Sequence, residues 1–293
     1  RRSGRQPAVA ALSSGGVGGM NELAPAKINL ALHVRERMAD GYHRLETIFA
    51  FARDGDRLSA TPADEISLRI VGPFADGLSA GPDNLVLRAA EALRRAAGVA
   101  RGAALTLDKR LPIASGIGGG SADAAAALRL LSRFWGVTVD LMPLATALGA
   151  DVPACLVGVP VRGEGRGDQL APVSAAGLVG LPLLLINPGV AMPTGPVFAA
   201  WDGVDRGGLA AGDPLAAARA GRNDLQAPTV ALCPQVGELL GWLQHQPGVI
   251  LSRMSGSGAT CFALFGTDAE LARADRAARA QWPDYWRLAT ALG

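Results

Sequence analysis

The stretch from Leu111 to Leu128, LPIASGIGGGSADAAAAL, crowds four glycines into one short turn directly ahead of a run of alanines. Glycine permits positive φ and lets other groups approach the backbone, whereas alanine is the best helix former. The pattern predicts a helix from about Ser121 or Ala122 to Trp135. The free N–H groups at such a helix start attract anions, phosphate above all. From these residues alone, a tight turn that only lets the helix pack closely explains the glycines equally well.

Two common phosphate-binding motifs do not match this turn. A Walker loop needs the pattern G-x-x-x-x-G-K-[ST], which the chain lacks. The dinucleotide pattern G-x-G-x-x-G fails as well, because Ser121 stands where its last glycine belongs. If the turn binds phosphate, it therefore belongs to another class of glycine loop.

The sequence on either side of the turn predicts an α+β protein in two domains. The stretch 24–34, APAKINLALHV, alternates like a half-buried strand and places Lys27 and Asn29 on one face. ALTLDKRLPI, which ends at Ile113, predicts a strand that leads into the turn. Helices and strands mix without regular βαβ alternation, which favours α+β. The expected segments are a disordered extension or artificial remnant at 1–19, an N-terminal domain at 20–172 and a C-terminal domain at 173–293.

Composition and charge exclude several classes of function. The chain has 293 residues, of which 49% are hydrophobic, and a formal net charge of +2 at pH 7. Three arginines among the first five residues account for that excess, since the remainder holds 25 basic and 26 acidic residues. We therefore expect no broad cationic surface and no nucleic-acid partner. No apolar run approaches 18 residues, so no membrane span is expected.

Cysteine and histidine form no disulfide or metal pattern. Cys155, Cys233 and Cys261 are widely spaced and odd in number, and the three histidines do not cluster. This spacing predicts neither a disulfide framework nor a zinc site, and no metal-ligating residue is predicted. The cysteines are interpreted as small core residues.

Lysine is rare enough in this chain to be informative. Of 28 basic residues, only Lys27 and Lys109 are lysines. A lysine offers a compact ammonium on a flexible stem, which a guanidinium cannot imitate. Each of the two is therefore a candidate for a specific role, with retention by chance as the alternative.

Five stretches in a fixed order resemble the GHMP kinases: APAKINLALHV, ADGYHRLETIF, the glycine turn, LGADVPACL and SRMSGSGATCFALF. The resemblance covers nearly everything from Met20 onward. It implies a two-domain GHMP kinase fold. The N-terminal domain would be like domain 2 of ribosomal protein S5, and the C-terminal domain would be a ferredoxin-like α/β sandwich. It also implies an enzyme that uses ATP and Mg²⁺ to phosphorylate a small alcohol.

Within the family, PAKINL together with ADGYH resembles the branch that phosphorylates the 2-hydroxyl of a cytidylated methylerythritol, in the non-mevalonate route to isoprenoids. The alternatives are a GHMP kinase for another small alcohol, of mevalonate, homoserine or sugar type, and a catalytically silent sensor on the same fold. The resemblance further implies a bacterial cytoplasmic enzyme that is a monomer or weak homodimer, with no membrane partner.

The resemblance implies that Lys27 and Asp151 form a catalytic pair. Asp151 would accept the proton of the substrate hydroxyl or orient that hydroxyl, and Lys27 would hold Asp151 ionised and stabilise charge near the transferring phosphoryl group. From the residues alone, Asp151 is a helix N-cap ahead of Pro153 or a catalytic carboxylate, and Lys27 is a solvated strand residue or its partner.

The resemblance also implies the ATP site. Ser121 would position Mg²⁺ or a phosphate oxygen, with a plain N-cap as the alternative. Asn84 and Lys109 lie on segments expected to border the adenine pocket. Ala114 and Ser115 stand where many relatives carry glycine, so the loop must differ locally if either position needs positive φ. The loop expected to wrap the phosphates comprises Pro112, Ile113, Ala114, Ser115, Gly116, Ile117, Gly118, Gly119, Gly120, Ser121 and Ala122.

The implied substrate site lies on other segments. Tyr42 would stack on the cytosine with Phe198 as the opposite wall, and His43 would hydrogen-bond to the base edge. Thr194 would contact the diphosphate or the methylerythritol part, and Asn29 would also contact the substrate. The alternatives are a turn aromatic that covers the core for Tyr42 and a satisfied strand amide for Asn29.

Overall fold

The computed structural model describes residues 19–293, so residues 1–18 of the predicted extension lie outside the described residues. Residues 19–293 form ten strands and nine helices. The strands are β1 (Met20–Arg37), β2 (His43–Ala63), β3 (Ile66–Val71), β4 (Gly102–Asp108), β5 (Val161–Gly165), β6 (Gln169–Pro172), β7 (Pro182–Asn187), β8 (Val249–Met254), β9 (Cys261–Phe265) and β10 (Trp286–Ala291). The helices are α1 (Leu85–Ala97), α2 (Gly119–Trp135), α3 (Met142–Leu148), α4 (Val152–Val157), α5 (Thr194–Ala199), α6 (Pro214–Ala220), α7 (Gln226–Leu232), α8 (Pro234–Leu243) and α9 (Asp268–Gln281).

The first half of the chain forms a six-stranded sheet in the order β3-β4-β2-β5-β6, with β1 paired to β2. β3 and β4 run parallel, and the other neighbours run antiparallel. The pairing of β1 with β2 extends from Met20 opposite Ala60 to Arg37 opposite His43. This long hairpin therefore carries both the predicted lysine of the catalytic pair and most of the predicted substrate residues.

The alanine-rich helix α2 packs with α1, α3 and α4 around one apolar cluster on this sheet. The alanines from 124 to 127 have no exposed surface, and such small side chains let the helix lie close to the sheet. α2 begins at Gly119, two residues before the predicted start at Ser121. The reason is Gly118, the N-cap residue, which adopts a left-handed φ of 63° that glycine takes without strain.

The second half of the chain forms a four-stranded antiparallel sheet in the order β10-β7-β9-β8. Numbered within this half, the strand order is 4-1-3-2, with helices between the first and second strands and between the third and fourth. This is the order of a ferredoxin-like sandwich, in agreement with the expectation from the sequence motifs.

Strand β1 lies between the two sheets, and this position buries both of its faces. Every residue from 26 to 34 is buried, so the prediction of a half-buried strand is wrong. Ile28 and Leu30 share an apolar cluster with Phe262 of the second sheet. The opposite face, with Lys27, is covered by the glycine turn, where a Cβ at Gly118 would lie 2.9 Å from the lysine Cε.

The two halves share a core. The chain leaves the first sheet after β6 and enters the second at β7, but one apolar cluster contains residues of both sheets. A backbone bridge also pairs Leu32 with Asn223. The division into domains at 20–172 and 173–293 therefore remains our proposal.

Three properties of the described residues narrow the classes of function. Within residues 19–293, no helix is both long enough and apolar enough to cross a membrane. The same range holds no group of three or more His, Cys, Asp or Glu side chains that could hold a metal ion. Cys155, Cys233 and Cys261 are buried and free, in keeping with small core residues.

Candidate active site

A cavity of about 640 Å³ opens beside the glycine turn, the β1–β2 hairpin and helix α5. It brings together segments that are far apart in the chain. The predicted residues that line it are Lys27, Asn29, Tyr42, His43, Ala114, Ser115, Gly116, Gly118, Gly119, Gly120, Ser121, Asp151, Thr194 and Phe198.

Lys27 and Asp151 meet at this cavity, with Lys27 Nζ 2.9 Å from Asp151 Oδ2. The lysine is buried, whereas the aspartate side chain is 36% exposed. Asp151 stands at the N-cap position of α4, but its side chain makes no capping hydrogen bond there. The carboxylate is therefore turned toward the ammonium and is open to a ligand in the cavity.

A hydrogen-bond network holds this ammonium in place. Lys27 Nζ donates to Asn29 Oδ1 at 2.8 Å, and Asn29 Nδ2 donates to Thr47 Oγ1 at 2.8 Å. Thr47 Oγ1 donates onward to the carbonyl of Ala31 at 2.6 Å. The ammonium also lies over the Phe49 ring, 5.4 Å from its centroid. A buried charge with these partners has a fixed position, which a charge stabiliser needs.

The glycine turn presents free backbone donors to the cavity. The N–H of Ala122 makes the first bond of α2, to the carbonyl of Gly118 at 2.8 Å. The three N–H groups from Gly119 to Ser121 precede it and have no partner within the helix. All three residues line the cavity. The start of α2 therefore suits an anion that enters this space.

Some of the remaining loop residues line the cavity, and the others only hold the loop in its conformation. Ala114 lines the cavity with a left-handed φ of 50°, so the positive φ raised by the sequence does occur at a non-glycine residue. Its carbonyl accepts from the N–H of Met192 at 3.0 Å, which helps to hold that conformation. Ser115 Oγ donates to the Pro112 carbonyl at 2.6 Å. The loop residues that do not line the cavity are Pro112, Ile113, Ile117 and Ala122.

Three rings, those of Tyr42, His43 and Phe198, form the aromatic end of the cavity. His43 is buried and packs against Phe198, with ring centroids 4.9 Å apart and the planes tilted by 37°. Tyr42 is 53% exposed, and the Arg166 guanidinium covers its ring. The ring beside Phe198 is thus that of His43. Thr194 Oγ1 lies 3.3 Å from Ser257 Oγ at the same end.

The His43 side chain is neutral at pH 7, the protonation state that suits a hydrogen bond to an uncharged ligand. Burial, and secondarily the nearby Arg37 guanidinium, lowers the pKa of His43 below its ordinary value near 6.5. The imidazole is therefore neutral at pH 7. A neutral ring has one donor and one acceptor nitrogen, and Nε2 accepts from Arg37 Nε at 3.4 Å, which leaves the Nδ1–H as a donor for a ligand.

Lys109 and Asn84 lie outside the cavity lining, in contrast to their predicted place at the nucleotide. Lys109 is buried behind the glycine turn, with Nζ 2.5 Å from Asp56 Oδ2 and 2.7 Å from Asp123 Oδ2. Asn84 is the N-cap of α1, and its Oδ1 accepts from the N–H of Val86 at 2.9 Å. Both side chains support elements beside the loop, so a direct nucleotide contact by either remains only a prediction.

Thr47, Phe49 and Arg166 are among the lining residues that the sequence did not point to. Phe49 lies directly opposite Asn29 in the β1–β2 register, so a correct register for the hairpin would have identified it. Arg166 belongs to the GEGRGD turn, and nothing in the neighbouring sequence distinguishes it from the other exposed arginines of the chain. Its place at the cavity follows from the pairing of β2 with β5.

Family models agree with this fold and site. The chain matches the model of the GHMP kinases N terminal domain at residues 84–159 and that of the GHMP kinases C terminal at residues 206–284. The chain belongs to the GHMP kinases, and it is a kinase that uses ATP.

Particular relatives narrow the class. A curated protein of Rhizorhabdus wittichii, named 4-diphosphocytidyl-2-C-methyl-D-erythritol kinase, is 61% identical to this chain, covering 92% of it and 94% of the relative. A crystal structure of 4-(cytidine 5'-diphospho)-2C-methyl-D-erythritol kinase matches with a TM-score of 0.76 and 37% identity, over 94% of this chain and 99% of that one. A homoserine kinase structure from Cytophaga hutchinsonii, with a TM-score of 0.74 over 98% of both chains, is only 17% identical and shows the fold alone.

Proposed function

We propose that this chain transfers the γ-phosphoryl group of ATP to the 2-hydroxyl of 4-diphosphocytidyl-2-C-methyl-D-erythritol. One observation carries the proposal. Lys27 and Asp151 approach within 2.9 Å beside the free N–H groups at the start of α2, in a cavity that also holds His43 and Phe198. The names of relatives as much as 61% identical support the choice of alcohol.

Asp151 and Lys27 divide the chemistry at the acceptor hydroxyl. The Asp151 carboxylate accepts a hydrogen bond from that hydroxyl, orients it and takes its proton as the new P–O bond forms. Lys27 stabilises the carboxylate and the negative charge on the transferring group. Asn29 keeps the ammonium in place through its 2.8 Å hydrogen bond.

The loop residues hold the phosphates. The N–H groups of Gly119, Gly120 and Ser121 donate to phosphate oxygens at the positive end of the α2 dipole. A side chain is excluded at Gly118, where a Cβ would lie 2.9 Å from Lys27 Cε, so the backbone stays accessible. Catalysis in such a site depends mainly on positioning and on neutralised charge.

Mg²⁺ fits the oxygen donors at this site. The Ser121 hydroxyl and the Asp151 carboxylate line the same cavity beside the start of α2. Mg²⁺ prefers oxygen ligands and is usually held by one or two protein groups together with substrate phosphates. Ser121 would hold it together with the phosphate oxygens, and the ion would supply charge neutralisation on those oxygens.

The cytidyl end of the substrate is assigned to the aromatic end of the cavity. Neutral His43 hydrogen-bonds to the cytosine edge through the ring nitrogen that Arg37 leaves free, Tyr42 stacks on the base and Phe198 closes the other side. Thr194 contacts the diphosphate or the methylerythritol part. A base-specific slot of this kind would separate the cytidylated alcohol from mevalonate, homoserine and galactose.

The decisive experiment measures ADP release by the purified protein with each of these four alcohols. We expect turnover with the cytidylated alcohol and none above background with the others. Turnover with mevalonate, homoserine or galactose alone would favour a GHMP kinase of another specificity. ATP binding without turnover of any alcohol would favour a silent sensor, although the intact Lys27–Asp151 pair argues against one. The monomeric or weakly dimeric state and the cytoplasmic location remain predictions.

A further inference from the structure

At an exposed edge of the cavity, Arg166 lies over the ring of Tyr42, with its guanidinium carbon 3.9 Å from the ring centroid. Tyr42 ends the turn between β1 and β2, and Arg166 belongs to the turn between β5 and β6. Both residues line the cavity. A guanidinium on an aromatic face combines electrostatic attraction with flat stacking, which an ammonium does not reproduce.

Asp40 joins these two residues a second time. Its Oδ2 accepts from Arg166 Nη2 at 2.5 Å, and its Oδ1 accepts from the N–H of Tyr42 at 3.0 Å. The Tyr42 N–H, together with the Arg166 guanidinium, lowers the pKa of Asp40, so its carboxylate is ionised at neutral pH. We call Asp40, Tyr42 and Arg166 the tyrosine clasp.

The turn that carries the guanidinium is itself held by local bonds. The N–H of Arg166 donates to Asp168 Oδ1 at 3.2 Å, and the N–H of Gly167 donates to the Glu164 carbonyl at 3.0 Å. The turn that carries Tyr42 is closed by the N–H of Met38, which donates to the Tyr42 carbonyl at 2.7 Å. Two tight turns therefore meet at one aromatic ring.

We propose that Arg166 is a positioning residue that fixes the Tyr42 ring for stacking on the cytosine, and so sets the affinity for the cytidyl end of the substrate. The inference rests on the proposed function, in which Tyr42 stacks on that base. A ring that is 53% exposed at a hairpin tip would otherwise lose rotamer freedom when a base binds. The clasp fixes the ring beforehand and occupies one of its faces, which leaves the other face for the base.

The test compares Arg166→Ala, Arg166→Lys and Asp40→Asn with the wild type. For both Arg166 variants we expect the KM for the cytidylated alcohol and the inhibition constant of CDP to rise about tenfold, the scale of one ordered side chain. The kcat and the KM for ATP should stay unchanged, which a general loss of structure would not allow. Asp40→Asn should raise the same two constants by a smaller factor, because the stacking persists.

Arg44→Ala is the matched control, since Arg44 pairs with Glu36 on the same hairpin and does not line the cavity. It should leave all four constants unchanged. Wild-type affinity in Arg166→Lys would mean that charge alone matters, and it would overturn the proposal. So would an unchanged KM in Arg166→Ala, or a parallel loss of kcat and ATP affinity. If Arg166→Ala does not fold, Asp40→Asn tests the proposal: a rise in the KM for the cytidylated alcohol and in the CDP inhibition constant would support it, and unchanged values of both would overturn it.

Failure of the proposed function would look different. The wild type would then release no ADP with the cytidylated alcohol, whatever the Arg166 variants do. Direct binding of CDP to the wild type and to Arg166→Lys, measured by calorimetry, tests the clasp in that case. Equal affinities would overturn the inference, and weaker binding to the variant would support it.

Discussion

The surroundings of Asp151 decide between the two interpretations that its sequence allows. Asp151 does stand at a helix N-cap, yet its side chain makes no bond to the helix start and lies 2.9 Å from Lys27 Nζ. An ammonium as buried as Lys27 needs charged or polar partners, because burial without them is costly. The carboxylate supplies one partner and Asn29 supplies another. The need of the buried Lys27 ammonium for a charged partner explains why Asp151 faces Lys27 and not the helix start, which the sequence alone does not explain.

Replacing Asp151 by Asn is expected to lower kcat at least about 100-fold, the usual scale of lost acid–base help. The amide cannot take the hydroxyl proton and no longer balances the Lys27 charge. Nucleotide binding should persist, because the N–H groups at the start of α2 are unaffected. A coupled assay of ADP release gives kcat, and calorimetry gives the nucleotide affinity.

Asp140→Asn is the control for this variant. Asp140, like Asp151, stands just ahead of a short helix, but its carboxylate accepts the N–H of Met142 at 3.1 Å and does not line the cavity. Its replacement should leave kcat at the wild-type level. A kcat for Asp151→Asn within a few fold of the wild type would remove Asp151 from the proposed role.

Two nearby loop positions should differ in how much stability a change of one methyl group costs. A Cβ at Gly116 would lie 2.4 Å from the Ser255 carbonyl oxygen, at a φ of 79°. Gly116→Ala is therefore expected to cost about 3 kcal/mol or more, from backbone overlap and left-handed strain together. Ala114→Gly relieves a φ of 50° but adds freedom to the unfolded chain, so its net effect should stay within about 1 kcal/mol.

Urea denaturation of both variants measures these costs, and nucleotide calorimetry shows whether the loop still binds. Equal stabilities for Gly116→Ala and the wild type would mean that the loop can shift away from Ser255. Ala114→Gly serves as the internal control, because it changes the same loop without adding an atom.

The sequence identified individual residues of the site better than their contacts. Lys27, Asp151 and His43 were assigned from motifs, and the structure brings them to one cavity. The family resemblance places Lys109 on a segment expected to border the adenine pocket, whereas the structure buries it beside Asp56. Its partner Asp56 lies on another strand, and no local pattern encodes that pairing. Residues whose surroundings come from distant elements are those that sequence patterns describe least well.

At the scale of elements, a buried cluster ties together the two ends of the glycine loop. Asp56 on β2 accepts from the N–H groups of Arg110 and Leu111, which lead into the loop, at 2.5 and 2.8 Å. Lys109 connects Asp56 to Asp123 in the first turns of α2. We infer that this cluster fixes the direction of α2 relative to β4, and with it the free N–H groups at the helix start.

The cluster holds two carboxylates and one ammonium, so its charge depends on pH. Burial raises the pKa of Asp123 to about 7, and nearby Asp56 adds to this, although Lys109 opposes it. An unfolded aspartate titrates near 3.9. Between about pH 4 and pH 7 the native protein therefore keeps a proton on Asp123 that the unfolded chain releases. This tighter proton binding stabilises the native state at low pH, and the stabilisation is lost as the pH rises through that window.

Asp123→Asn mimics the protonated side chain and removes its titration. We expect the free energy of unfolding of the variant minus that of the wild type to increase as the pH rises from about 4 to about 7, because only the wild type loses stability in this window. Chemical denaturation at a series of pH values measures the difference. Asp64→Asn, at an exposed position, should give a profile parallel to that of the wild type. A parallel profile for Asp123→Asn would show that Asp123 is ionised throughout.

Helices and strands were predicted well where the sequence pattern within the element determines them. They were predicted less well where a packed neighbouring element determines their burial or their first residue. The predicted end of α2 at Trp135 is confirmed and is set by Gly136, which caps the helix in a left-handed conformation, whereas the start depends on the left-handed Gly118. β1 was recognised by its alternation, and its burial on both faces was missed. That burial comes from the second sheet, whose residues lie more than a hundred positions further along the chain.

At the scale of the whole molecule, Arg253 joins the two halves. Its guanidinium is buried and donates to the carbonyls of Ala218 and Gly221 at 2.7 Å, and to that of Leu30 on β1. Burial lowers the pKa of Arg253 to about 10, so the group is still charged at neutral pH. One side chain of β8 thus satisfies carbonyls of β1 and of the end of α6.

Because the two sheets share this contact and an apolar cluster, we expect them to unfold together. Hydrogen exchange in β4 and β7, which lie in different sheets, should report the same opening free energy in the wild type. Arg253→Met removes the side-chain donor that the three carbonyls share and should lower both opening free energies by roughly 3 kcal/mol. Arg279→Met, at a surface pair with Asp275, should change neither by more than about 0.5 kcal/mol. Exchange in β7 well before β4 in the wild type would mean that the halves are independent domains, and that the cavity between the glycine turn and helix α5 is held together by something weaker than a common core.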